Sequence, residues 1–238
     1  MGKDGSNIEL KLASLYSGGK DSTFSIFRCL EYGHDVVCLI TLHPSADDSL
    51  LFHYPNSWIT KHIACAMDKP LIELEIPGIS CKENEYDALT QAIIQAKSIY
   101  NIEGIVHGGI SSRFQNRIFE KVAVENQLRV LSPLWNIEPS KYLRLLVDYN
   151  FDVKIISVSA MGLDRLWLGK SIDLSSLKRL EYLSKRFGFN LTFEGGEAET
   201  LVTDCPLFKY KINIERADKR WDGQRGIFEI REVSLIPK

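Results

Sequence analysis

Ser17-Gly18-Gly19-Lys20-Asp21-Ser22 follows an apolar run at 10–16 and opens a helical run at 23–32. A glycine-rich turn between a strand and a helix points backbone N–H groups and the positive end of a helix dipole at one spot, which suits phosphate. Gly18 and Gly19 let the backbone come close to phosphate oxygens. Ser17 and Ser22 add hydroxyls, and Lys20 adds a mobile positive charge. Asp21 would repel bare phosphate, so it either caps the helix or sits beside a divalent cation such as Mg2+. Neither the Walker spacing nor the dinucleotide Gly-x-Gly-x-x-Gly spacing is present.

Apolar and helical segments alternate outward from this turn. Strands are expected at 10–16, 35–42, 71–76, 104–106 and 129–132, with helices at 22–32, 57–67, 84–100 and 112–126. Continuous apolar strands alternating with helices imply an α/β fold with a doubly wound parallel sheet, whose ligands bind beyond the carboxyl ends of the strands. Ser17–Ser22, His43 and His107-Gly108 all lie at such ends. After Pro133-Leu134-Trp135 the rhythm changes to a helix at 139–150, a strand at 153–158, a helix at 174–187 and strands at 207–215 and 227–235. The expected division is a nucleotide-binding domain over 1–135 and a smaller α+β substrate-binding domain over 136–238. The polar connections 43–57 and 216–226 are candidates for loops covering a site.

Composition narrows the function classes. The 238 residues are 45% apolar with a net charge of −2, enough for a sizeable core and too little positive charge for a general nucleic-acid surface. The five cysteines form no Cys-x-x-Cys pair, which argues against zinc ribbons and a disulfide framework. No apolar stretch approaches the roughly 20 residues of a membrane span, and no signal-peptide segment is read at the start. A soluble, cytoplasmic protein is expected. Met1–Ser6 formally fits a myristoylation pattern and Asn190-Leu191-Thr192 a glycosylation sequon, but no second membrane signal or secretory signal supports either. His34, His53 and His62 lack metal-ligand spacing. Arg113 and Arg117 share a helix face and could reach phosphate or simply face solvent.

A second constellation is Glu194-Gly195-Gly196-Glu197-Ala198-Glu199-Thr200, with three carboxylates in six residues. If the chain is extended there, Glu197 and Glu199 share a face. Such a group could hold Mg2+, bind ammonium or act as a general base.

The turn at 17–22 resembles the PP-loop of the N-type ATP pyrophosphatases, which cleave ATP between the α- and β-phosphates. Combined with residues 194–200 and Asp204-x-Pro206-Leu207-Phe208-Lys209, it resembles the diphthine–ammonia ligase family over about residues 8–215. Gly108 with Ser112 and Gln115, Pro133-Leu134-Trp135, and Trp167-Leu168-Gly169-Lys170 follow in the same order. The resemblance implies the short, archaeal-type form of an adenine nucleotide alpha hydrolase-like ligase. Its reaction joins ammonium to the carboxylate of diphthine on translation elongation factor 2, consuming ATP and releasing AMP and pyrophosphate.

On that resemblance ATP is held by Ser17, Gly18, Gly19, Lys20, Asp21, Ser22, His43, His107 and Gly108, with Mg2+ at Asp21. Ser112, Gln115, Glu194, Gly195, Gly196 and Thr200 face the acceptor, and Asp21, Glu197 and Glu199 carry the chemistry. The chain departs from the family pattern at Phe193, where a glycine is common, at Ala198, where an aromatic residue is usual, and at Phe114, which replaces a tyrosine. Neither a membrane nor a nucleic acid is an expected partner, and a homo-oligomer is compatible with the sequence. Two other readings fit the phosphate loop: a tRNA-modifying PP-loop thiolase or ligase, and a non-catalytic nucleotide sensor. Paired cysteines and a basic surface would favour the first, whereas intact loop residues and three glutamates disfavour the second.

Overall fold

A computed structural model describes residues 9–44, 56–76 and 82–238. Most of the 43–57 connection, His53, Cys81 and the Met1–Ser6 pattern lie outside them.

The first half is a five-stranded sheet of order β3-β2-β1-β4-β5, all pairs parallel. Its strands are β1 (Lys11–Leu15), β2 (Asp35–Pro44), β3 (Leu71–Ile76), β4 (Gly104–Val106) and β5 (Arg129–Leu131). The helices between them are α1 (Lys20–Glu31), α2 (Thr60–Met67), α3 (Lys82–Tyr100) and α4 (Arg113–Glu125). Strand side chains alternate between faces, and an irregularity in β2 between Val36 and Cys38 shifts the alternation there by one residue. Leu12, Val36 and Leu39 therefore join Phe24 of α1 and Ile63 of α2 in one core, while Ala13, Leu15, Cys38 and Ile40 join Leu89 of α3 and Phe119 of α4 in another. Both sheet faces are covered, as the continuous apolar strands imply. Strand order reverses at β1, so its carboxyl end and that of β4 border the crevice where doubly wound sheets place ligands.

The second half contains α5 (Pro139–Asp148), β6 (Asp152–Val158), α6 (Leu174–Phe187), β7 (Ala198–Asp204), β8 (Tyr210–Trp221) and β9 (Gly226–Pro237). Its four strands form a separate antiparallel sheet of order β7-β6-β9-β8. Glu138 caps α5, and Asp173 with Ser176 forms a capping box at α6, which ends at Gly188 in the left-handed region. The large core is shared: α1 and α2 pack with α5, β6 and β7.

Two expectations change. The 216–226 connection is no covering loop, because residues up to Trp221 continue β8 and only a short turn at 222–225 leads to β9. Asp222 closes that turn by accepting from the amides of Gln224 and Arg225, at 2.8 and 2.7 Å. Its polar composition reflects a ribbon that is exposed near its tip. The glycine- and carboxylate-rich stretch also yields a strand, β7, whose residues Leu201, Val202 and Thr203 are buried.

Candidate active site

The turn after β1 is drawn together by its own hydroxyls. Ser17 Oγ lies 3.1 Å from Ser22 Oγ and accepts from the Gly19 amide at 3.3 Å. Ser22 and Thr23 donate their hydroxyls to the Gly19 carbonyl at 3.2 and 2.8 Å. Gly18 adopts φ 83°, a region open to glycine at little cost. Among the described residues, no partner is found for the amides of Gly18, Asp21 and Ser22, which leaves three donors available around the start of α1.

The second half completes this cradle. Gly19 has no side chain to cap α1, and Thr200 of β7 does so instead, accepting from the Lys20 amide at 3.2 Å. The Val202 amide donates to the Gly18 carbonyl at 3.0 Å. Lys20 is buried, its ammonium donating to the Thr192 carbonyl at 2.6 Å and to Asp21 Oδ2 at 2.9 Å. The Phe193 ring lies 5.4 Å beneath that ammonium, a cation–π contact. Phe193 has φ 64°, a left-handed conformation that is strained for a bulky residue.

Asp21 is held from both sides, for its Oδ1 accepts from the Tyr142 hydroxyl on α5 at 2.7 Å. Burial raises the Tyr142 pKa well above its ordinary value, and the charge and hydrogen bond of Asp21 raise it further, so the phenol remains a donor. From the other side of the crevice, Gly108 packs against the first turn of α1. A Cβ there would fall 2.6 Å from both Asp21 C and Ser22 N.

The three glutamates differ sharply in surroundings. Glu194 reaches across to the turn before α4, accepting from the amides of Ile110 and Ser111 at 2.7 Å each and Ser112 at 3.3 Å, and from the Ser111 hydroxyl. Burial raises its pKa, but these donors outweigh it and hold the group below the ordinary glutamate value. Glu197 folds back on its own loop, taking the amides of Asn190 and Gly195 at 2.9 and 2.8 Å. Glu199 is pushed up to about 7, chiefly by burial; Lys20 opposes the shift, and the charges of Asp21 and Glu197 add to it. A carboxylate poised near neutrality beside a phosphate cradle can exchange protons.

The remaining predicted residues lie at strand ends and in turns. Ser112 caps α4, its hydroxyl accepting from the Gln115 amide at 3.5 Å. Gly195 and Gly196 form the exposed turn ahead of β7. His107 is buried at the end of β4; Nδ1 accepts from the Gly109 amide at 3.0 Å, which places the proton on Nε2 facing Ser132 Oγ at 2.8 Å and Asn116 Oδ1 at 3.2 Å. Burial lowers its pKa to about 4 against the raising effects of Asn116, Glu120 and Glu194, so the ring is neutral and braces the loop. His43, at the end of β2, meets Glu73 at 2.9 Å on the next strand. Arg113 and Arg117 are exposed.

Sequence reasoning missed Tyr142, Thr192 and the amide of Val202. A tyrosine on the buried face of an amphipathic helix reads only as core, and backbone partners leave no mark in residue type. Among the described residues, no helix is long and apolar enough to cross a membrane.

The family models described as diphthamide synthase N-terminal domain and C-terminal domain match residues 10–130 and 138–236. The human diphthine–ammonia ligase is 33% identical over 226 residues, covering 88% of this chain and 84% of that protein. The Schizosaccharomyces pombe diphthine–ammonia ligase is 35% identical over 217 residues, covering 85% of this chain but 36% of that longer protein. A solved structure described as a predicted subunit of tRNA methyltransferase from Methanocaldococcus jannaschii aligns with a TM-score of 0.44 at 16% identity, covering 83% of this chain and 98% of that one. With both family models and relatives of this identity matched along nearly its whole length, the chain belongs to the diphthamide synthase family.

Proposed function

We propose that this protein is an ATP-dependent diphthine–ammonia ligase, which converts the carboxylate of diphthine on translation elongation factor 2 to the amide of diphthamide. The observation that carries the reading is the joining of the two halves at one point. The phosphate cradle of the first is capped by Thr200 and Val202 of the second, and Glu199 lies in that same strand.

A carboxylate resists attack by ammonia because its leaving group would be oxide. Attack by the carboxylate oxygen on the α-phosphorus forms an acyl-adenylate and releases pyrophosphate. The amides of Gly18, Asp21 and Ser22, the hydroxyls of Ser17 and Ser22, and Lys20 hold that departing charge. The Lys20 ammonium has a third donor for phosphate beyond those engaged by the Thr192 carbonyl and Asp21. Ammonia then attacks the acyl carbon, AMP departs, and the surplus proton passes to Glu199. Glu197 serves the geometry of the loop rather than the proton, because both its oxygens accept backbone amides. His43, His107 and Gly108 border the nucleotide, while Ser112, Gln115, Glu194, Gly195 and Gly196 border the acceptor.

Among the described residues, no group of three or more histidine, cysteine or acidic side chains is arranged to hold a metal. Magnesium needs fewer when phosphates supply the other oxygens. Asp21, at the first turn of α1 beside the cradle, fits that role. The ion would supply neutralisation of phosphate charge.

The test is incubation with ATP, ammonium and diphthine-bearing elongation factor, following AMP, pyrophosphate and the mass of the modified histidine. Stoichiometric AMP and the carboxylate-to-amide mass change are expected. ADP as product, or tight ATP binding without turnover, would overturn the proposal, the latter in favour of a nucleotide sensor.

A further inference from the structure

Tyr142 sits on α5, in the second half of the chain, yet its hydroxyl ends at the first turn of α1. The side chain is fully buried, and its ring packs 5.6 Å from Phe24 within an aromatic group that includes Phe27, Tyr149 and Phe151. A ring locked this way cannot swing, so its hydroxyl is a fixed point. Asp21 is anchored to that point through Oδ1 at 2.7 Å, leaving Oδ2 turned toward the Lys20 ammonium at 2.9 Å. An unanchored carboxylate could rotate to offer either oxygen or both, at an entropic cost whenever it engaged a ligand.

We infer that Tyr142 is a positioning residue for the nucleotide site, holding Asp21 so that a single oxygen, Oδ2, faces Lys20 and the phosphates of a magnesium-bound nucleoside triphosphate. The inference rests on the nucleotide-binding role proposed above. It also gives the second half a task in ATP binding separate from acceptor recognition.

Three variants test it: Tyr142→Phe, Asp21→Asn and the pair together, with Leu89→Ala as a control that lowers stability from the other core, away from the ring and its hydroxyl. Calorimetric titration with ATP, in magnesium and in EDTA, is the readout, with melting temperature recorded alongside. Tyr142→Phe is expected to weaken binding of magnesium ATP by about tenfold, the scale of a hydrogen bond to a charged group. It should weaken ATP binding in EDTA less. The double variant should bind no more weakly than Asp21→Asn alone, since the tyrosine acts through the aspartate. Leu89→Ala should melt lower yet keep its affinity. Unchanged magnesium ATP affinity in Tyr142→Phe, losses that add in the double variant, or an equal loss in Leu89→Ala would each overturn the inference while leaving the nucleotide site standing. Failure of the unmodified protein to bind magnesium ATP would overturn both.

Discussion

Glu194→Ala removes a carboxylate of the second half that ties down the turn before α4 in the first. Three amides and one hydroxyl lose their acceptor, the amides of Ile110 and Ser111 lying 2.7 Å from Glu194 Oε1. Ile110 is buried and keeps little access to water, whereas Ser111 is exposed and can be rehydrated. A hydrogen bond to a charged group contributes roughly 1.5–3 kcal/mol when shielded. One shielded bond plus a discounted remainder gives a loss of about 2–3 kcal/mol. In a protein of this size that corresponds to a fall in melting temperature of about 5–10 °C.

The pH dependence follows from the direction of the shift. Glu194 is held below its ordinary value of 4.5, so its contribution is complete above that pH and fades as pH drops through the lower folded-state value. Melting curves of the wild type and Glu194→Ala should therefore be separated by a constant interval from neutral pH down to about pH 5, and converge below about 4.5. Glu194→Gln, which retains one accepting oxygen, should lie between them at neutral pH. A separation under about 1 °C at neutral pH, or one that does not narrow in acid, would refute the assignment of this carboxylate as the tie.

Gly108→Ala should fold but bind ATP at least about tenfold more weakly, because its Cβ would meet backbone atoms of Asp21 and Ser22 that cannot yield; titration with ATP checks this. Glu199→Gln should remove from the pH profile of amide formation a limb centred near 7. Since the raised pKa means that ionised Glu199 opposes folding, the same variant should gain melting temperature relative to wild type above pH 7 and not below the ordinary value of 4.5. Thr200→Val should cost about 1 kcal/mol by denaturant melting, the usual scale for loss of a helix cap, because the Lys20 amide loses its acceptor. His107→Asn should lessen the loss of stability between pH 6.5 and about 4, the interval in which the unfolded imidazole takes up a proton and the folded one does not.

The first half was legible because its signals are local and redundant. Each buried strand is a short apolar run, and 71–76 and 104–106 are bounded as expected. In the second half the signal fades with exposure. β8 alternates weakly because most of its residues face solvent, and polar residues near its tip read as a loop. The site was legible as residue types, not as partners. Ser17–Ser22 and residues 194–200 stand out in the chain, but nothing in their spacing says that Thr200 caps α1 or that Glu194 grips a turn more than 80 residues away. Those pairings depend on how two sheets pack, a long-range property. Tyr142 shows the limit most plainly, for its ring belongs to the core and its hydroxyl to the site.

A helix that borrows its cap from a strand 180 residues later has a consequence for synthesis. While the ribosome is still making the second half, α1 already exists in sequence, but its first amide has no acceptor and Lys20 has no carbonyl to rest on. The nascent sheet therefore presents an unfinished anion site that is completed only when β7 emerges and docks. Nucleotide would reward the finished chain over the partial one, acting late in folding as a ratchet on the docked arrangement.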